Sequence, residues 1–276
     1  MAQDLAGKKI FITGGSRGIG LAIAKRAAAD GAMVAIAAKT TDPHPTLPGT
    51  IYTAAEEIRQ AGGVALPIQC DLRDEKQIES AVAQAAAEFG GLDILINNAS
   101  AINLTSTLAT PAKRFDLMFS VNVRATFLTS QAAIPHLKES AAAGRNPHIL
   151  TMSPPLSMSA KWFKPHLAYT MAKYGMSMCV LGLAEEFKRD GVSVNALWPR
   201  TAIDTAALAM IPGIDTDFCR KPEIIADSAY VILTGTGKSG NFFIDDEVLA
   251  SVGITDLEKY SVVPGTTEFL LDFFID

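Results

Sequence analysis

Tyr169 and Lys173 stand four residues apart in the stretch Ala168-Tyr-Thr-Met-Ala-Lys173, a spacing that puts both side chains on one face of a helix. A phenol with an ordinary pKa of about 10 carries protons poorly at neutral pH. A cation about 4 Å away, at an effective dielectric of about 20, favours the phenolate by roughly 4 kcal/mol, or about three pKa units. The pair is therefore a candidate for moving a proton to or from an oxygen. Tyr-x-x-x-Lys is also a common helical pattern, and a solvated surface pair is the competing reading. The company the pair keeps decides between them.

Near the start lies Thr13-Gly14-Gly15-Ser16-Arg17-Gly18-Ile19-Gly20. It follows an apolar run and opens a helical pattern, the context in which a glycine loop holds a dinucleotide pyrophosphate. Gly14 permits the tight turn, Gly18 lets backbone approach phosphate, and Gly20 lets helix pack on strand. Gly14, Ser16, Arg17, Gly18, Ile19 and Gly20 are the candidate phosphate-end residues, with the helix N-terminus supplying N–H groups and partial positive charge. A ribose 2′-hydroxyl is usually held by an acid at the end of the second strand. No acid stands from Gly31 to Thr41, and that strand ends Ala38-Lys39. Lys39 and Arg17 can both pair with a 2′-phosphate, so NADP(H) is expected in preference to NAD(H). Lys39 as an ordinary solvated lysine is the alternative.

The elements that must position these groups alternate from the first residues. Apolar runs at 9–13, 33–38, 64–69, 92–97, 148–152 and 192–198 read as strands, with 240–244 as a seventh. Helical patterns fall at 18–29, from about 51, at 74–89, twice within 111–139, and at 169–190. Strand–helix alternation with apolar strands predicts a parallel sheet covered on both faces. No repeat or disordered linker interrupts it, so residues 1–276 read as one domain.

With these residues in place, the chain from about Leu5 to Ile244 resembles the short-chain dehydrogenase/reductase family. The resemblance implies an α/β fold, a single doubly wound (Rossmann) domain with a seven-stranded parallel sheet, assembled as a homodimer or homotetramer. It implies that Asp71, after the third strand, contacts the adenine, and that the turn Asn97-Asn98-Ala99-Ser100 supports the central strand and lines the cofactor. It makes Asn122, in Ser-Val-Asn-Val, the holder of a proton-relay water, and Tyr169 and Lys173 catalytic and cofactor-binding together. The stretches His44-Pro-Thr-Leu-Pro-Gly, Trp162-Phe-Lys-Pro-His and Ala196-Leu-Trp-Pro are similar to one branch of the family. In that branch a sterol-carrier module follows the reductase domain, and this chain ends before such a module.

Three departures stand out. The family places a carbonyl-polarising serine at the end of strand five, where this chain has Ser153-Pro154-Pro155. An ungapped alignment puts Pro154 there, and proline offers neither a side-chain donor nor an N–H. Ser153, Ser157 or no serine are the alternatives, and loss of one such donor costs on the order of 10²–10³ in rate. The usual Pro-Gly after strand six is Pro199-Arg200, with Arg200 either a surface residue or a fork for a substrate carboxylate or phosphate. Asp245-Asp246-Glu247 stands where Asp-Gly-Gly is usual.

Composition excludes several other roles. A net charge of −5 lacks the cationic face a nucleic-acid partner needs. No apolar run is long enough to span a bilayer, and no signal peptide is evident. Cys70, Cys179 and Cys219 form no disulfide framework, and the four histidines have no metal-ligand spacing, so no metal is expected. The cytoplasm is the expected compartment. Leu156, Met158, Trp162, Phe163, Trp198 and Met210 offer apolar bulk for a lipid- or steroid-like small-molecule substrate. The function expected is an NADP(H)-dependent oxidoreductase interconverting a carbonyl and a secondary alcohol. The alternative is a nucleotide-binding sensor or lipid-binding module with weak or lost catalysis.

Overall fold

Strands β1 (Lys9–Thr13), β2 (Met33–Ala38), β3 (Val64–Gln69), β4 (Ile94–Asn97), β5 (His148–Met152), β6 (Ser193–Trp198) and β7 (Phe242–Ile244) are short apolar runs. β4 and β5 are buried along their whole length, as strands covered on both faces must be. The computed structural model describes residues 4–45, 47–211 and 213–275. Their strands form a seven-stranded sheet in the order β3-β2-β1-β4-β5-β6-β7, parallel at every pairing. The chain winds outward from β1 to β3, then crosses back to lay β4 beside β1. A ligand crevice belongs at the strand ends where that order reverses, here at Thr13 and Asn97, which are partners in register.

Helices α1 (Gly18–Ala28), α2 (Ile51–Gln60) and α8 (Glu223–Thr234) bury Ile23, Ile58 and Ile225 in one apolar layer. Helices α3 (Glu75–Phe89), α5 (Ala125–Ala142) and α7 (Leu167–Glu186) bury Ile78, Leu137 and Val180 in the other. Asp74 caps α3 by accepting from the N–H groups of Lys76 and Gln77. Between α4 (Ala112–Met118) and α5 the helix widens to a π-helical stretch at Phe119–Arg124, a winding often found at functional positions.

Several boundaries differ from the expectation, most by one or two residues, and those of β4 and α7 bear on the site. β4 begins at Ile94 because Asp93 serves as a junction. Its carboxylate accepts from the Lys9 N–H at 2.9 Å, the Ser140 hydroxyl at 2.7 Å and the Arg145 guanidinium at 2.7 Å. After the short α6 (Ala160–Phe163), helix α7 begins at Leu167, so Tyr169 lies within its first turn, and it ends at Glu186 before a 3₁₀ turn at Lys188–Asp190.

Candidate functional site

The glycine loop adopts a conformation that only glycine accepts easily. Gly14 and Gly18 have φ of +70° and +55°. A Cβ on Gly20 would lie 2.5 Å from Asn98 Nδ2 and 2.7 Å from the Gly14 carbonyl. Asn98 explains that crowding: its side-chain amide donates to the carbonyls of Thr13 and Gly14 at 3.1 and 3.0 Å. The Thr13 hydroxyl accepts from the N–H groups of Asn98 and Ala99. Asn98 thus staples the loop across β1 and β4.

A cleft of about 380 Å³ opens above this staple. Gly14, Ser16, Arg17, Gly18 and Ile19 line it. Lys39, Asp71 and Asn98 line it as well. The residues read as a nucleotide site are thus gathered in one place, with Gly20 beneath them against Asn98. Lys39 is exposed at the rim. The Arg17 guanidinium donates to the Gly49 carbonyl at 3.1 Å, while its Nε is buried without a partner. Arg73 also lines the cleft and was missed. Its Nε lies 2.9 Å from one Asp71 carboxylate oxygen, and its guanidinium holds that carboxyl down at about 2. Its only signal was its position two residues after Asp71. The glycine cradle, the unpartnered Arg17 Nε and the cations Lys39 and Arg73 fit a nicotinamide dinucleotide.

Tyr169 and Lys173 lie outside the cleft lining, near the ends of β5 and β6, and are 5% and 3% exposed. Lys173 Nζ donates to the Met152 carbonyl at 2.8 Å and sits 4.8 Å from the Trp198 ring centroid. Burial acts against the expected charge effect. Desolvation pushes the Tyr169 phenol above its ordinary range, with the Asp272 carboxylate adding to the rise. Burial likewise pulls the Lys173 ammonium down to about 7, against a smaller opposing pull from Asp272. At full burial the loss of water outweighs a helix-face neighbour. Tyr169 thus rests as a neutral phenol, one helical turn from Lys173.

Ser153 follows Met152 at the end of β5, fully buried, its hydroxyl without a partner. Pro154 is turned away, its carbonyl accepting from the Ser177 hydroxyl at 2.6 Å. The Ser157 backbone is pinned by Tyr174, whose hydroxyl donates to the Ser157 carbonyl at 2.9 Å. Of the two serines, Ser153 is beside the strand end that holds Lys173. Asn122, in the π-helical stretch, is fully buried. Its side chain accepts from the Ala101 N–H at 2.7 Å and donates to the Ala101 carbonyl at 3.0 Å. That reciprocal pair engages the amide and fixes the loop after β4, so any water held by Asn122 would depend on its backbone.

The apolar candidates divide. Leu156, Trp162, Phe163 and Trp198 pack in the cluster around Tyr169, whereas Met158 and Met210 are 80% and 65% exposed. The second and third departures prove to be one feature. Arg200 pairs with Asp246 and Glu247, each at 2.5 Å, and its N–H donates to the Asp245 carboxylate at 2.9 Å. Two local carboxylates occupy the Arg200 fork, which leaves the substrate-anion alternative without a free donor pair. Residues 270–275 also lay outside the expected site, yet they cross over it. The Asp272 N–H donates to the Arg200 carbonyl at 3.0 Å, and Trp198 Nε1 to the Phe273 carbonyl at 2.8 Å. The Asp272 carboxyl is pushed up to about 7, mainly by desolvation. Among the described residues no group of three or more His, Cys, Asp or Glu side chains is placed to hold a metal, and no helix is long and apolar enough to cross a membrane.

A family model described as short chain dehydrogenase matches residues 8–211. Hydroxysteroid dehydrogenase-like protein 2 of Danio rerio is 61% identical over 274 residues, covering 99% of this chain but 65% of that protein. The chain thus spans slightly less than two thirds of the length of that relative. Among solved structures, a putative dehydrogenase from Xanthomonas campestris superposes with a TM-score of 0.95 at 55% identity over 99% of both chains. A short-chain dehydrogenase from Mycobacterium thermoresistibile gives 0.92 at 53% identity, over 99% of this chain and 96% of the other.

Proposed function

Since the chain belongs to the short-chain dehydrogenase family, we propose that it works as an NADP(H)-dependent oxidoreductase interconverting a carbonyl and a secondary alcohol on an apolar substrate. The observation that carries this reading is that one end of the parallel sheet bears both the glycine-lined cleft, at β1 and β4, and the buried Tyr169 and Lys173, near the ends of β5 and β6. Gly14, Ser16, Gly18 and Ile19 would hold the pyrophosphate, Asp71 the adenine end, and Arg17 and Lys39 the 2′-phosphate, with Gly20 and Asn98 keeping the cradle in shape. Arg73 adds a third cation near that phosphate. The nicotinamide, when bound, supplies or accepts the hydride.

Tyr169, a neutral phenol at rest, donates its proton to the developing alkoxide in the reductive direction. Lys173, protonated below its titration point of about 7, stabilises the phenolate left behind. Ser153 is the donor that polarises the carbonyl, its free hydroxyl standing in for the serine that Pro154 displaces. Asn122 fixes the Ala101 loop, and its backbone is the candidate holder of the water that returns a proton to Lys173. Leu156, Trp162, Phe163 and Trp198 supply the apolar wall that supports a lipid- or steroid-like substrate, as does the name of the Danio rerio relative.

Residues 1–276 act as one dinucleotide-binding domain in this proposal, in the cytoplasm, and assemble as a homodimer or homotetramer. Exposed Phe127 on α5 with Met178 and Leu181 on α7 supports such an assembly. The test is NADPH oxidation over a panel of alicyclic ketones, 3-oxoacyl thioesters and steroid ketones. Turnover of at least one class is expected. Tight NADPH binding with no turnover of any would instead favour a nucleotide-binding sensor.

A further inference from the structure

A carbonyl must come within hydrogen-bond reach of the Tyr169 oxygen to take its proton, yet Tyr169 is only 5% exposed. The rings over it belong to His166, Phe273 and Phe274, with centroids 5.7, 6.5 and 6.2 Å from the Tyr169 ring. His166 is fixed at the head of α7 by a 3.1 Å contact between its Nδ1 and the Thr170 hydroxyl. The two phenylalanines are held differently. Residues 270–275 are tied down through Leu270 at Phe218 and Ala202, through Asp272 at Arg200, and through the Phe273 carbonyl, which accepts from Trp198 Nε1. Phe274 lies beyond these ties, 2% exposed, with its ring 5.3, 5.7 and 6.0 Å from Tyr174, Trp162 and Trp198. Its φ of +72° is unfavourable for a bulky side chain. An apolar ring in a strained backbone conformation therefore fills an aromatic box against the candidate proton donor.

We propose that the Phe274 ring occupies the subsite for the apolar ring of an alicyclic carbonyl substrate, and that residues 270–275 swing aside to admit it. The word substrate rests on the oxidoreductase reading, but binding at the box does not. A six-membered ring of the ligand replaces the phenyl ring among Trp162, Tyr174 and Trp198, and its carbonyl faces Tyr169. The segment then works as a gate, keeping water from the Tyr169–Lys173 pair until a ring of matching size displaces it.

The chain has two tryptophans, Trp162 and Trp198, and both flank Phe274, so intrinsic fluorescence reports this box. The experiment titrates the full chain, without nucleotide, with the bicyclic ketone 2-decalone, comparing wild type with Phe274→Gly. Glycine accepts the positive φ and empties the box. The variant is expected to bind about tenfold tighter or better, no longer having to expel its own ring. In the wild type, saturating 2-decalone is expected to speed hydrogen exchange at the Asp272 amide, because the strap leaves Arg200. Tighter binding in the variant with unchanged or slower exchange in the wild type would mean an engineered cavity under a fixed roof, and would overturn the proposal. Equal or weaker affinity in a folded variant, or no binding to either protein, overturns it as well. If the variant does not fold, exchange in the wild type decides alone. Failure of NADPH turnover leaves these readouts intact, so the two proposals fail separately.

Discussion

Lys173, with Asp272 opposing its shift, is expected to set the pH dependence of the reductive step. Burial lowers Lys173 to about 7 from an ordinary value of 10.5, so the ammonium that stabilises the phenolate exists mainly below pH of about 7. The reductive rate should fall as pH rises through that point. Asp272 opposes the shift, so Asp272→Asn should move the limb to lower pH; an unmoved limb would show that Asp272 is too far away to matter. For stability, the unfolded chain binds more protons at this lysine between about 7 and 10.5, so its destabilising effect is full below 7 and fades above. Lys173→Met should therefore raise Tm, and more at about pH 6 than at about pH 9. Chemistry was legible here because Tyr169, Lys173, Ser153 and the glycine loop are marked by residue type and spacing. The direction of the Tyr169 shift was not, because burial is set by Trp198, Phe273 and Phe274 from distant parts of the chain. Lys39 offers a separate test. Lys39→Asp removes a cation from the cleft rim and adds an acid, and should weaken NADPH binding about tenfold or more while leaving NADH nearly unchanged. Equal losses for both nucleotides would remove Lys39 from 2′-phosphate recognition.

The elements were more legible than their joints. The runs at 9–13, 33–38, 64–69 and 148–152 are the strands β1, β2, β3 and β5, because continuous apolar residues bounded by turns have few other homes in an α/β chain. β4 lost its first two expected residues to Asp93, whose partners Ser140 and Arg145 lie about half a hundred residues on. The π-helical stretch around Asn122 has no signature in side-chain periodicity. It turns Asn122 onto the Ala101 backbone, and this link joins the cleft loop to the Tyr169 cluster. Asn122→Ala leaves that half-buried N–H and carbonyl unpaired, at about 1–2 kcal/mol each. A Tm lower by about 4–8 °C is expected; an unchanged Tm would mean that water replaces the amide. Ser153→Ala should keep both fold and NADPH affinity while slowing turnover about 10²-fold. Full activity would return the carbonyl-polarising role to Ser157 or to no serine.

At the scale of the molecule, the crossing between β3 and β4 opens one crevice at the β1–β4 switch, and later elements close over the other half of the site. Arg200, Asp246 and Glu247 join the turn after β6 to α9 (Asp245–Ser251), and the backbone of that same turn anchors residues 270–275. The departures at Pro199-Arg200 and Asp245-Asp246-Glu247 therefore belong with the strap, a linkage invisible while each was read alone. In the proposed reaction the glycine cradle brings a nicotinamide to Tyr169, and Tyr169 moves the proton. The most direct measurement is a paired assay of wild type and Tyr169→Phe, following NADPH affinity and NADPH oxidation with the best ketone of the panel. Nearly unchanged affinity is expected, since phenylalanine keeps the ring and loses only the hydroxyl, with turnover lost by about 10²-fold or more. Turnover that survives the loss of the phenolic hydroxyl would contradict it.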